Sequence, residues 1–151
     1  DLDTLARRAY VAFVSEPAPQ PGVTPRATFA DGAALIGAEV RSPAISAPGI
    51  VVSLTWRAEN PITADDVVFV HWMRAGQLIA QSDGGPGLGF LPMPAWRPGE
   101  TLVDVRTLAA PGGWQPGDAL RVGLYRRSDL QRVPVQTGGR DADDFVVLSS
   151  P

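Results

Sequence analysis

Val67–Asp83, VVFVHWMRAGQLIAQSD, reads as two β-strands around a short turn at Ala75-Gly76. The first, Val67–Arg74, is apolar on both faces and carries the only histidine, His71, beside Trp72. Its alternation leaves two choices of inward face: Val67, Phe69, His71 and Met73, or Val68, Val70 and Trp72. A sandwich buries one face of each sheet, so whichever set points outward needs a cover: a helix, a loop or a partner. Upstream, Gly49–Ala58, GIVVSLTWRA, alternates more cleanly. Ile50, Val52, Leu54 and Trp56 face one way, while Val51, Ser53, Thr55 and Arg57 face the other.

The same signals recur outward from these two stretches. Strands are expected at Ala27–Phe29, Ala34–Val40 with a bulge near Gly37, Leu78–Ser82, Leu102–Leu108, Leu120–Arg126 and Phe145–Leu148, with Gln131–Val135 weakly extended. Glycine (16) and proline (15) punctuate them, which fits many turns. About eight strands without intervening helices imply an all-β fold, a two-sheet antiparallel sandwich of immunoglobulin-like or jelly-roll-like kind. No Cys…Trp…Cys spacing is present, which excludes a true antibody-type domain.

The first 25 residues read differently. Leu2, Leu5, Ala6, Ala9 and Phe13 share one helical face across Asp1–Ser15, and the acids at the start suit a helix N-terminus. This helix either packs on its own domain or leads out of a preceding membrane segment. Glu16–Pro25, EPAPQPGVTP, holds four prolines and reads as a semi-rigid spacer. The expected division is therefore a helix and spacer over 1–25 and the sandwich over 26–151.

Composition excludes several function classes. Cysteine is absent, which removes disulfides, thiolate metal sites and a thiol nucleophile. The net charge is −3 and the basic residues, all arginine, are scattered, so no nucleic-acid footprint appears. No apolar run approaches the roughly 18–20 residues of a membrane span.

Several segments in order carry a resemblance. They are Phe29…Leu35-Ile36-Gly37-Ala38-Glu39, Leu54-Thr55-Trp56-Arg57-Ala58, Pro61-Ile62…Asp65…Val68-Phe69-Val70-His71, Gln81-Ser82-Asp83-Gly84…Pro86, Trp96-Arg97-Pro98-Gly99-Glu100 and Gly123-Leu124-Tyr125. Together they resemble the soluble β-sandwich region near the C-terminus of bacterial membrane-embedded glycosyltransferases of the dolichyl-phosphate-mannose–protein mannosyltransferase type. The resemblance runs over roughly Ala27 to Val135. It departs from the pattern at Gly113–Asp118, where a longer Pro-Gly turn stands. It implies an extracytoplasmic accessory domain beside a multi-spanning catalytic portion, with the glycosyl-transfer chemistry outside this chain.

No catalytic signature stands against that. His71 lacks a Gly-x-Ser-x-Gly elbow to serve, and one histidine without cysteine does not make a zinc site. The acidic run Asp141, Asp143 and Asp144 has two readings, a solvated turn or a calcium loop, but lacks the closing glutamate of a twelve-residue calcium motif. The turns Trp96-Arg97-Pro98-Gly99-Glu100 and Trp114-Gln115-Pro116-Gly117-Asp118 repeat a W-x-P-G-acid pattern before a strand. They read as two similar turns, or as a paired tryptophan platform. The ligand-binding candidates are Trp72, Asp83, Phe90, Trp96 and Trp114, because sugars stack on flat aromatics while carboxylates take hydroxyls. The functional expectation is a non-catalytic accessory or binding domain, not an enzyme, with no cofactor. Its expected contacts are a membrane-embedded portion or a glycan. The alternative is a structural or scaffold subunit of a membrane-associated assembly.

Overall fold

The computed structural model describes residues 22–42, 48–137 and 144–149. The expected helix and most of the spacer, and the Asp141–Asp143 part of the acidic run, lie outside the described residues. Among the described residues nine strands form: β1 Ala27–Phe29, β2 Ala33–Arg41, β3 Gly49–Ala58, β4 Asp66–Arg74, β5 Gln77–Gly84, β6 Thr101–Ala109, β7 Ala119–Arg126, β8 Val135–Thr137 and β9 Val146–Leu148. They make an all-β, two-sheet sandwich. One sheet runs β6-β3-β2-β1-β8 and the other β5-β4-β7-β9, with every named pairing antiparallel.

Alternation in β3 fixes the first sheet. Ile50, Val52, Leu54, Trp56 and Ala58 are buried in register, opposite Leu108 and Leu102 of β6. In β2 the inward set changes parity between Leu35 and Ala38, so a bulge is needed to keep both on the core side. The register shift falls between Leu35 and Gly37. Gln131–Val135 is extended only in part: Arg132 makes a single bridge to Tyr125, the chain crosses at buried Val133, and Val135 opens β8 in the other sheet, paired with Phe29.

In β4 the inward set is Val68, Val70 and Trp72. Phe69 points outward and is still only 1% exposed. Its cover is a loop. The Arg132 guanidinium lies 3.7 Å over the Phe69 ring, flanked by the Tyr125 ring at 6.4 Å and the His71 ring at 4.7 Å. On β7 the residue paired with Phe69 is Gly123, where a Cβ would collide with the Phe69 ring and the Asp144 carbonyl.

Strand directions give the sandwich two ends. The hairpin end carries the Ala75–Gly76 turn and the loop before β7. The opposite, loop end gathers the β3–β4 connection, the β5–β6 loop and the turn after β7.

Candidate functional site

The β5–β6 loop leaves the loop end of the sandwich as two short 3₁₀ turns, Pro86–Gly89 and Met93–Ala95. Proline opens each turn and glycine permits the tight reversal at Gly87 and Gly89. Leu91, Met93 and Trp96 turn inward and pack in the core. Leu88 and Phe90 turn outward, 78% and 68% exposed. The loop is held from below by two charged residues inside the sandwich. Asp104 and Arg106 of β6 form a 2.8 Å ion pair with side chains 0% and 3% exposed. Asp104 Oδ1 accepts the Gly87 N–H at 3.1 Å. Arg106 donates to the carbonyls of Gly84 (3.0 Å), Gly85 (3.3 Å), Ser82 (3.3 Å) and Val68 (3.3 Å). Every donor group of the enclosed guanidinium is thereby engaged, Nε by Asp104, and Nη1 and Nη2 by carbonyls of β4, β5 and the base of the loop, with Nη2 also on Asp104.

The turn after β7 stands beside this loop. A Cβ built on Gly85 would lie 3.5 Å from Arg127 Nη2. Arg126 binds Asp129 at 2.7 Å, and the Leu130 N–H donates to the Arg126 carbonyl at 2.8 Å, closing the turn. Leu130 is 69% exposed. Leu88 and Leu130 both adopt left-handed backbone, φ +59 and +60. That conformation costs a non-glycine residue about 1–2 kcal/mol. The loop end thus presents Leu88, Phe90 and Leu130 on backbone that is tied down by hydrogen bonds.

The five sequence-selected residues do not converge. Trp72 is fully enclosed at the hairpin end, with its Nε1 donating to Asp118 Oδ2 at 2.9 Å. Trp114 is half-buried and stacks on Trp72 at 5.6 Å. Trp96 is buried at the loop end, donates to the Leu91 carbonyl at 3.1 Å and packs 6.5 Å from Trp56. A Trp96–Trp114 platform does not form, because the strands each turn leads into, β6 and β7, begin at opposite ends of the sandwich. The W-x-P-G-acid repeat is a pair of turns with a common geometry. Gly99 and Gly117 take φ +81 and +88, and the N–H of Glu100 and of Asp118 donates back to Arg97 and Gln115 at 3.0 Å each. Asp83 lies on the outer face of the β4 sheet, 3.2 Å from His71 Nε2. Phe90 alone of the aromatic candidates is widely exposed.

Asp118 shows how charge is used at the hairpin end. It accepts from Arg74 Nε (2.9 Å) and Nη2 (2.8 Å), from the Gln115 N–H (2.9 Å) and from Trp72. The Arg74 guanidinium, helped by the Gln115 amide and Trp72, holds this carboxyl down at about 2 against the opposing effect of burial. Arg74 also donates to the carbonyls of Pro111 and Gly113, so the cluster fixes the loop before β7. Its members are engaged with one another, which suits a brace rather than a reaction centre.

Sequence reasoning missed Asp104, Arg106, Leu88 and Leu130. For the first pair a signal existed: Asp and Arg two apart on a strand share a face, and Leu102 and Leu108 mark that face as the core. For Leu88 and Leu130 there was none, since their exposure follows from loop geometry. Among the described residues, no helix is long and apolar enough to cross a membrane, and no group of three or more His, Cys, Asp or Glu is placed to hold a metal ion. No family model matches the chain, and no curated protein or solved structure matches it.

Proposed function

We propose that this chain is a non-catalytic, extracytoplasmic accessory domain that docks through its loop end on a membrane-embedded partner. The partner class is the one the sequence resemblance suggests, a multi-spanning glycosyltransferase. The observation that carries the reading is the group of Leu88, Phe90 and Leu130, large apolar side chains held out at one end, two of them on strained backbone. Strain at exposed apolar positions stabilises nothing in the isolated domain, and such strain persists where a contact uses it. The Asp104–Arg106 clamp supports the same reading. A loop fixed in advance loses less entropy on association than a mobile one.

The test places a photo-crosslinking amino acid at Leu88 in the full chain in cells of the source organism, with Gln77 at the hairpin end as control. Docking predicts an adduct with a membrane-embedded glycosyltransferase from position 88, none from position 77, and loss of the adduct when Phe90→Ser and Leu130→Ser are added. Equal adducts from both positions, or none from position 88, overturn the proposal. A glycan bound on an array through Phe90 in the absence of any protein adduct overturns it in favour of direct carbohydrate contact.

A further inference from the structure

Two carboxyl groups meet across the seam between the sheets at the loop end. Asp31 belongs to the β1–β2 turn of the five-stranded sheet, and Asp66 is the first residue of β4 in the other. The Asp31 turn is pinned. Its Oδ1 accepts the Ala33 N–H at 3.0 Å, the Gly32 N–H donates to Phe29, and the Gly32 carbonyl accepts the Glu59 N–H at 2.9 Å. Asp66 is 1% exposed, and both its oxygens, with Oδ2 of Asp31, are enclosed without a hydrogen-bond donor.

An ionised carboxylate only accepts, so two of them facing each other in an enclosed place need something positive between them. The arginines around them are turned elsewhere. Arg126, opposite Asp66 in the β4–β7 ladder, binds Asp129. Arg127 binds Asp65 at 3.2 Å, and Arg57 binds Glu59 at 2.5 Å. Asp65 itself adds a like charge beside Asp66.

We propose that Asp31 and Asp66 share a single proton, which latches the two sheets together at the loop end, and that losing it loosens this seam as pH rises toward neutrality. Burial first, then the Asp31 carboxyl facing it, raise Asp66 to about 7, with Arg126 acting in the opposite direction. A recess of about 360 Å³, lined by Ala64, Asp65, Asp66, Arg126, Arg127 and Ser128, lies beside Asp66. The sign follows from linkage. The unfolded chain releases this proton near 3.8 and the folded chain near 7. The latch therefore contributes fully below pH 4, weakens between 4 and 7, and is gone above. This inference does not depend on the docking proposal.

The test combines carboxyl ¹³C NMR of aspartate-labelled protein with thermal melts from pH 4 to 9 in chelator, for the unaltered chain, Asp66→Asn and Asp31→Asn. The latch predicts one carboxyl titrating near 7, coupled to a partner. It also predicts a melting temperature that falls between pH 5 and 7.5 in the unaltered chain and stays flat in either variant, since an amide replaces the proton as donor. The Glu59 amide, corrected for intrinsic exchange, loses protection roughly tenfold per unit of carboxyl shift expressed. Carboxyls that all titrate in the ordinary range, or variants that keep the slope, overturn the latch. So does calcium at pH 8 restoring the acid-side melting temperature, because a cation then occupies the proton's place. Should one variant fail to fold, the other and the NMR titration still decide.

Discussion

Asp104 and Arg106 sit two residues apart on β6, so both side chains point into the sandwich, where a lone charge is untenable. Breaking such a pair by removing one partner costs about 3–5 kcal/mol, because the other charge stays buried. Asp104→Ala is expected to lose that much in urea unfolding. Asp104→Leu combined with Arg106→Met should recover most of it, and a double variant as damaged as the single one argues against the clamp. Gly123 is the second sensitive position. A Cβ there meets the Phe69 ring, so Gly123→Ala should destabilise by about 1–3 kcal/mol, partly relieved by Phe69→Leu in the same chain. Leu88 and Leu130 predict the opposite sign. Asparagine tolerates left-handed backbone, so Leu88→Asn and Leu130→Asn should each raise stability by up to about 1 kcal/mol while weakening docking. Unchanged melting with docking lost would leave the strain without consequence. None of these residue-level features was legible in the sequence beyond the spacing of Asp104 and Arg106. Arg106 is made tolerable by carbonyls of Val68, Ser82, Gly84 and Gly85, which lie far from it in sequence.

At the scale of elements, the two W-x-P-G-acid turns share a backbone and differ in what the acid reaches. Gly99→Ala and Gly117→Ala meet no neighbour within 4 Å, so each should lose only the left-handed penalty, about 1–2 kcal/mol. Asp118 adds a pH dependence. Its carboxyl is held at about 2 in the fold against 3.8 unfolded. The stability it contributes is therefore present above pH 4 and lost as pH falls toward 2. An acid titration followed by circular dichroism should show a shallower loss in Asp118→Asn than in the unaltered chain; identical acid limbs would remove the assignment. The turns themselves were readable, because Pro-Gly at the central positions dictates the backbone locally. Their separation to opposite ends was not, since it depends on which way β6 and β7 run.

For the molecule as a whole, alternation was enough to expect two antiparallel sheets, and β3 made the inward face plain. Strand β4 did not, because Phe69 is as apolar as Val68 and Val70. What resolved it is a cation over an aromatic ring, supplied by Arg132 from a segment that reads as a weak strand and is a crossing. The candidate site was legible only at Phe90. Trp72 and Trp96 were selected for chemistry that their burial turns to packing, each with its indole N–H satisfied inside the fold. The pairing pattern also bears on the order in which the protein is made. β1 waits for β8, with Thr28 and Thr137 joined at 2.6 Å only after more than a hundred intervening residues. The first half of β7 waits for β9, the last strand described. Until residue 148 leaves the ribosome, Leu120–Val122 shows the cell a bare strand edge, the kind of surface chaperones hold and aggregates recruit. Closure of this sheet is thus coupled to the emergence of β9, and a chain stopped just short of β9 is expected to be captured by chaperones rather than merely weakened.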